Sequence, residues 1–208
     1  MTVVMGFDTS LTCSGVARVD LGVGASGQVE AVAWSTARCR VPQPESSTPL
    51  LERNRIRGML REILASKVPD FIDLAVVEGP APGGKFSGKA DERAALRWFL
   101  IDQLLPRGPV VIVTPTQRAV LATGRGLRRR KDESATAAKA RVLDAVRAAF
   151  PSALIPNHDV ADAVALAAAG AHHLGLSVEY SAAQISTHAQ IAWPEKGGPV
   201  VSATTTKG

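Results

Sequence analysis

The stretch Val3-Val4-Met5-Gly6-Phe7-Asp8-Thr9-Ser10-Leu11-Thr12-Cys13-Ser14-Gly15-Val16-Ala17 decides the fold. Val3 to Phe7 is a run of β formers long enough for one buried strand. Asp8 ends it, and a carboxylate there is costly to desolvate unless it is paired or bound to a cation. Thr9, Ser10, Thr12 and Ser14 make a hydroxyl-rich turn, with Gly15 to relax the backbone. Val16 to Val19 then resumes as a second strand, so the unit is a hairpin with an acid at its mouth. By itself Asp8 reads equally well as a turn-closing acid. Acids in matching settings downstream set it apart.

Working outward, Glu30 to Cys39 reads as a third strand, completing an antiparallel meander. From about Thr48 the period changes: Ile56, Met59, Leu60, Ile63 and Leu64 share one helix face. Arg53, Arg57 and Arg61 line another face, which reads as solvated. Leu74 to Val77 is a fourth strand, and Glu78 follows it directly. A Pro/Gly-rich loop carrying Lys85, Phe86 and Lys89 leads to a helix over about 90–105, with Leu96, Phe99, Leu100 and Leu104 as its apolar face. Val110 to Val113 is a fifth strand, and Pro115 to Ala122 a short helix.

The densest charge follows, in Thr123-Gly124-Arg125-Gly126-Leu127-Arg128-Arg129-Arg130-Lys131. A helix over about 132–150 faces Val142, Val146, Ala149 and Phe150 inward, and places Lys131 and Lys139 near that inward side. Asn157 is positioned to cap a last helix, His158 to Leu174. Asp159 and Asp162 lie three apart on one face of it. The helix dipole accounts for an acid at Asp159, but Asp162 stands in an otherwise apolar run.

The chain has 208 residues, which suits one domain, expected over 1–176, with a weakly ordered Ser/Thr/Gly-rich tail over 177–208. Hydrophobic residues make up 46% and aromatics only 4%, so the core is built of Val, Leu, Ile and Ala. A net charge of +5 favours a polyanionic partner. Cys13 and Cys39 make neither a disulfide framework nor a zinc site, so a reduced, cytoplasmic setting is expected. No signal peptide is expected. The longest apolar run, near Val164 to Leu176, is too short to span a bilayer, so no membrane association is expected.

The element order implies an α/β fold, a mixed five-stranded sheet of three antiparallel strands and then two parallel ones, flanked by helices. With the fourth strand beside the first, Asp8 and Glu78 become neighbours, and the start of the last helix closes over them. Four clustered carboxylates repel one another unless divalent cations are present, and hard oxygen ligands suit Mg²⁺ or Mn²⁺. Two such ions about 4 Å apart activate water and stabilise the leaving oxygen in phosphodiester cleavage.

These pieces together resemble the RuvC family of Holliday junction resolvases, within the RNase H-like nucleases. The resemblance runs through Gly6 to Ser10 with Ser14 to Ala17, through Val76-Val77-Glu78, through Thr123 to Gly126 ahead of a lysine-bearing helix, and through Asp159 to Leu166. It implies that Asp8, Glu78, Asp159 and Asp162 are the catalytic, metal-binding acids. Some relatives place a histidine at the third position, where His158 adjoins Asp159. The resemblance also implies a DNA surface containing Phe86 as an aromatic wedge, Arg125, Arg128, Arg129 and Arg130, and a catalytic-side lysine that is either Lys131 or Lys139. It implies branched DNA as substrate; a nearly two-fold symmetric junction needs two matched nicks, so a homodimer is expected, with the helix over about 90–105, carrying Trp98 beside Phe99, as the contact. The basic extension after Gly126 resembles the phage-encoded branch, which implies the cytoplasm of a bacterium or phage-infected host.

Two rival readings remain. Asp8-Thr9-Ser10 with Ser14-Gly15 also resembles the phosphate-binding hairpin of actin-like phosphotransferases, a fold that needs a second domain and a second glycine-rich loop. A non-catalytic DNA-binding module is the other, and it gives no reason to keep four costly carboxylates.

Overall fold

In a computed structural model, residues 1–80, 89–126 and 134–195 are described. Five strands form one sheet: β1 (Thr2–Asp8), β2 (Cys13–Val23), β3 (Val29–Arg40), β4 (Leu74–Glu78) and β5 (Val110–Val113). Their order is β3-β2-β1-β4-β5. β1 pairs antiparallel with β2 and parallel with β4, and β4 pairs parallel with β5. This is the mixed sheet expected, three antiparallel strands and then two parallel ones.

Helices α1 (Pro49–Ala65) and α2 (Ala90–Leu104) cover the face that carries Met5, Phe7, Ala75 and Val77. Helices α3 (Pro115–Thr123), α4 (Ala135–Ala149) and α5 (His158–His173) belong with the core on the opposite face, around Val4, Ala17, Val76 and Val113. The hydroxyl-rich turn closes on itself: the Ser14 hydroxyl donates to the Ser10 carbonyl at 2.8 Å and accepts from the Ser10 amide at 3.0 Å. That turn therefore needs no solvent to satisfy its buried polar groups.

What positions the site is the fit of α5 against β1 and β2. From Val160 to Ala171 this helix is buried throughout and built almost wholly of small residues. It approaches so closely that a Cβ on Gly6 would stand 2.1 Å from the Ala163 carbonyl oxygen, and one on Gly15 2.0 Å from that of Asp159. Here two backbones touch with no side chain between them.

Two expectations need correction. Phe99 is 51% exposed; Ile101 takes its place in the core, beside Leu96, Leu100 and Leu104. Ala149 is exposed, leaving Val142 and Val146 as the buried residues of α4. Beyond residue 176 the described chain continues to Glu195. It forms α6 (Ala182–Ala189), where the Gln184 amide donates to the Leu121 carbonyl and His188 Nε2 to that of Ala169. Conversely, Glu52 and Arg55 of α1 are buried: Arg55 donates to the Leu11 carbonyl at 3.1 Å, and Glu52 pairs with Lys89.

Gly6→Ala is expected to destabilise the fold by about 1–3 kcal/mol or more, because an added methyl must push one backbone off another. Urea denaturation measures this, and truncating a neighbouring side chain is expected to recover none of the loss, since the obstacle is main chain.

Candidate active site

β1 and β4 run parallel with Phe7 opposite Val77, so Asp8 and Glu78 emerge side by side at the C-terminal ends of two central strands. Asp8 is also paired with Gly15, the residue on which the Asp159 backbone rests. One turn further along α5, Asp162 points back toward the strand ends. Asp8 is 8% and Asp162 9% exposed, so both carboxylates lie in a poorly solvated place.

The fourth member of this cluster is Arg118. Its Nε donates to Glu78 Oε1 at 2.9 Å, and its Nη1 is paired with Asp162. Thr114 caps α3 through a reciprocal capping box with Gln117, which starts the helix directly after β5 and delivers Arg118 one turn later beside the end of β4. The sequence signal for Arg118 is its place three residues before Leu121, and so on the same face of a short helix.

Burial is the largest influence on Asp8, raising its carboxyl well above the ordinary range, and repulsion from Glu78 and Asp162 adds to it. Burial likewise pushes Asp162 up to about 7, against the pull of Arg118, with Glu78 and Asp159 adding repulsion. One guanidinium thus serves three carboxylates. Among the described residues no three His, Cys, Asp or Glu side chains are grouped to hold a metal ion, and Arg118 bridges two of the candidates. The chemistry of the donor set nevertheless fits a hard divalent cation, because the oxygens are crowded, buried and under-neutralised.

Asp159 stands apart from the arginine. Its Oδ1 lies 3.3 Å from His158 Nε2, and its Oδ2 accepts from the Asn157 amide at 3.0 Å. Cys13 adjoins it; burial first, then the Asp159 carboxylate, keep that thiol protonated. Lys139 Nζ approaches His158 Nε2 at 3.5 Å, on the edge of a cavity of about 150 Å³ that Arg118, Arg141 and Asp162 also line. Lys139, itself exposed, lines this cavity with Asp162, and Arg125 is exposed on the loop after α3. Phe86, Arg128, Arg129, Arg130 and Lys131 lie outside the described residues.

No protein-family description matches the chain, and no curated protein resembles it detectably in sequence. The fold does have known counterparts. Thermus thermophilus RuvC superposes with a TM-score of 0.50 at 18% identity, covering 80% of this chain and 90% of that one. The fowlpox virus resolvase, solved with its substrate Holliday junction DNA, gives 0.44 at 14% identity over 83% and 99% of the two chains. The yeast mitochondrial Holliday junction resolvase gives 0.44 at 12% identity over 90% and 79%. The chain has the RuvC fold.

The buried acids give a signed pH dependence. A carboxyl whose pKa is raised on folding, from 3.8 to about 7 for Asp162, favours the folded chain below the lower value. That contribution is lost as pH rises toward the higher one. Without divalent cations the thermal midpoint is therefore expected to fall between pH 4 and 7, and Asp162→Asn to shallow the slope.

Proposed function

We propose that this chain is a metal-dependent, structure-selective endodeoxyribonuclease that resolves four-way DNA junctions by hydrolysing phosphodiester bonds. The observation that carries this reading is the convergence of Asp8, Glu78 and Asp162 beside a cation-lined cavity, on a sheet of RuvC topology. Asp8, Glu78, Asp159 and Asp162 would hold Mg²⁺ or Mn²⁺, two ions per site. When bound, such ions supply water activation and neutralise charge on the leaving oxygen.

The chain's own groups do the rest. Arg118 holds Glu78 and Asp162 in place and offsets their repulsion. The cavity at Lys139 and Arg141 receives a phosphate oxygen of the backbone, and the exposed Arg125 extends that track outward. Phe86, Arg128, Arg129, Arg130 and Lys131 are proposed as further junction contacts on the resemblance alone. The phosphotransferase reading is disfavoured because the described residues form one sheet with its helices, and no second nucleotide-binding half.

Two matched nicks are needed to resolve a junction, and one such site cuts one strand, so a homodimer with an isologous interface is the simplest machine. Trp98 at 59% and Phe99 at 51% exposure form an aromatic patch on α2, on a chain poor in aromatics. Large exposed aromatics of this kind are enriched at interface cores.

Asp8→Asn and Glu78→Gln are each expected to slow cleavage by several kcal/mol of barrier, on the order of a thousandfold. Metal-free junction binding should persist, because phosphate contacts come from elsewhere. Labelled junction, flap, fork and linear duplexes incubated with Mg²⁺ or Mn²⁺ test both; near-normal cleavage by either variant would refute the assignment. Trp98→Glu is expected to convert a dimer to monomer in light scattering and to accumulate singly nicked junctions.

A further inference from the structure

Arg118 pairs with Glu78 and Asp162, whereas the Asp159 carboxylate has partners of its own. It is held from two sides, by His158 on Oδ1 and by Asn157 on Oδ2. Asn157 has more contacts than a helix cap requires. Its Oδ1 accepts from the Val160 amide at 3.1 Å, which is the capping bond of α5. Its Nδ2 then donates to Asp159 at 3.0 Å and reaches Cys13 Sγ at 3.6 Å.

Capping asks only for the oxygen, and Ser or Thr supplies that equally in kind. The amide nitrogen is surplus to the cap, and both its contacts go to the site. Cys13 opens β2 two residues before Gly15, the point at which the Asp159 backbone meets the sheet. The one side chain of Asn157 thus joins the helix start, the carboxylate and the strand below it.

We infer that Asn157 is a positioning residue: through Nδ2, braced on Cys13, it fixes the rotamer of Asp159 so that this carboxylate is aimed for metal binding. This inference rests on the nuclease reading and deepens it at one ligand. Groups that orient a metal-ligating side chain are worth about 10- to 100-fold in metal affinity.

The test uses the full-length protein and Mn²⁺ itself as the probe. Asn157→Ser and Asn157→Thr keep a capping oxygen and remove the amide donor; if one fails to fold, the other is read. Mn²⁺ affinity is measured by electron paramagnetic resonance, alongside the thermal midpoint and metal-free junction binding. The expected result is a midpoint and junction affinity close to those of the parent, with the Mn²⁺ dissociation constant raised about tenfold or more. Cys13→Ala is expected to shift Mn²⁺ affinity in the same direction by less. Parental Mn²⁺ affinity in the Ser and Thr variants, with Asp159→Asn weakening it, would reduce Asn157 to a cap and leave the nuclease reading standing. Weakened Mn²⁺ binding that only tracks a lowered midpoint would also overturn the inference. Unchanged Mn²⁺ affinity in Asp159→Asn itself would remove Asp159 as a ligand, and the inference with it.

Discussion

The site depends on a contact that involves almost no side chains. α5 lies directly on the backbones of β1 and β2, because Gly6 and Gly15 leave room where any Cβ would collide with main chain. Such a contact has little play. Side chains absorb strain by changing rotamer, whereas two backbones in van der Waals contact must separate as units. The register of α5 over the sheet is therefore set to a fraction of a helical turn. That register places Asp159 over Gly15, which is itself paired with Asp8. A strand acid and a helix acid separated by some 150 residues of sequence become neighbours through a shared glycine.

Clustering carboxylates so tightly creates an electrostatic problem that the chain solves locally with Arg118. A planar guanidinium reaches Glu78 and Asp162 at once, which a lysine's single ammonium does less well. The arrangement does not offset the whole cost of the cluster: burial first, and repulsion from neighbouring acids after it, keep the carboxyls of Asp8 and Asp162 raised. A buried charge pair of this kind contributes little net stability, since desolvation offsets much of the attraction. Its retention makes sense as preorganisation: the acids are held close together by a cation that is itself held by α3.

Much of this was legible in the sequence, for definable reasons. Strands rich in β formers and ended by acids announced both the sheet and the adjacency of Asp8 and Glu78, and Asp162 stood out as one charge in an apolar helix. Arg118 was harder, because a nine-residue helix offers barely two turns from which to read a face. Phe99 is exposed against the expected pattern for a related reason: Leu96, Trp98, Phe99, Leu100 and Ile101 surround α2 with apolar residues, so periodicity alone fixes its buried face only to within one position. α6 carries Ser, Thr, Gln and His and buries none of its residues, so hydrophobic periodicity had nothing to detect. Its one signal was the Ser181–Gln184 capping box.

That inconspicuous helix bears on the site from a distance. Gln184 bonds to α3 at Leu121, and His188 bonds to α5 at Ala169. The Trp193 ring stacks on both His173 and His188, with its indole N–H donated to the His188 carbonyl at 2.9 Å. The two helices so linked are those that carry Arg118 and Asp162. An ion pair between side chains of separate helices holds its geometry only as well as the helices hold theirs. The charged contact at one end of α3 and α5 is therefore matched by a hydrogen-bonded, ring-stacked clasp toward the other. The clasp involves no carboxylate, so its hold on the two helices does not depend on the charge of the acids.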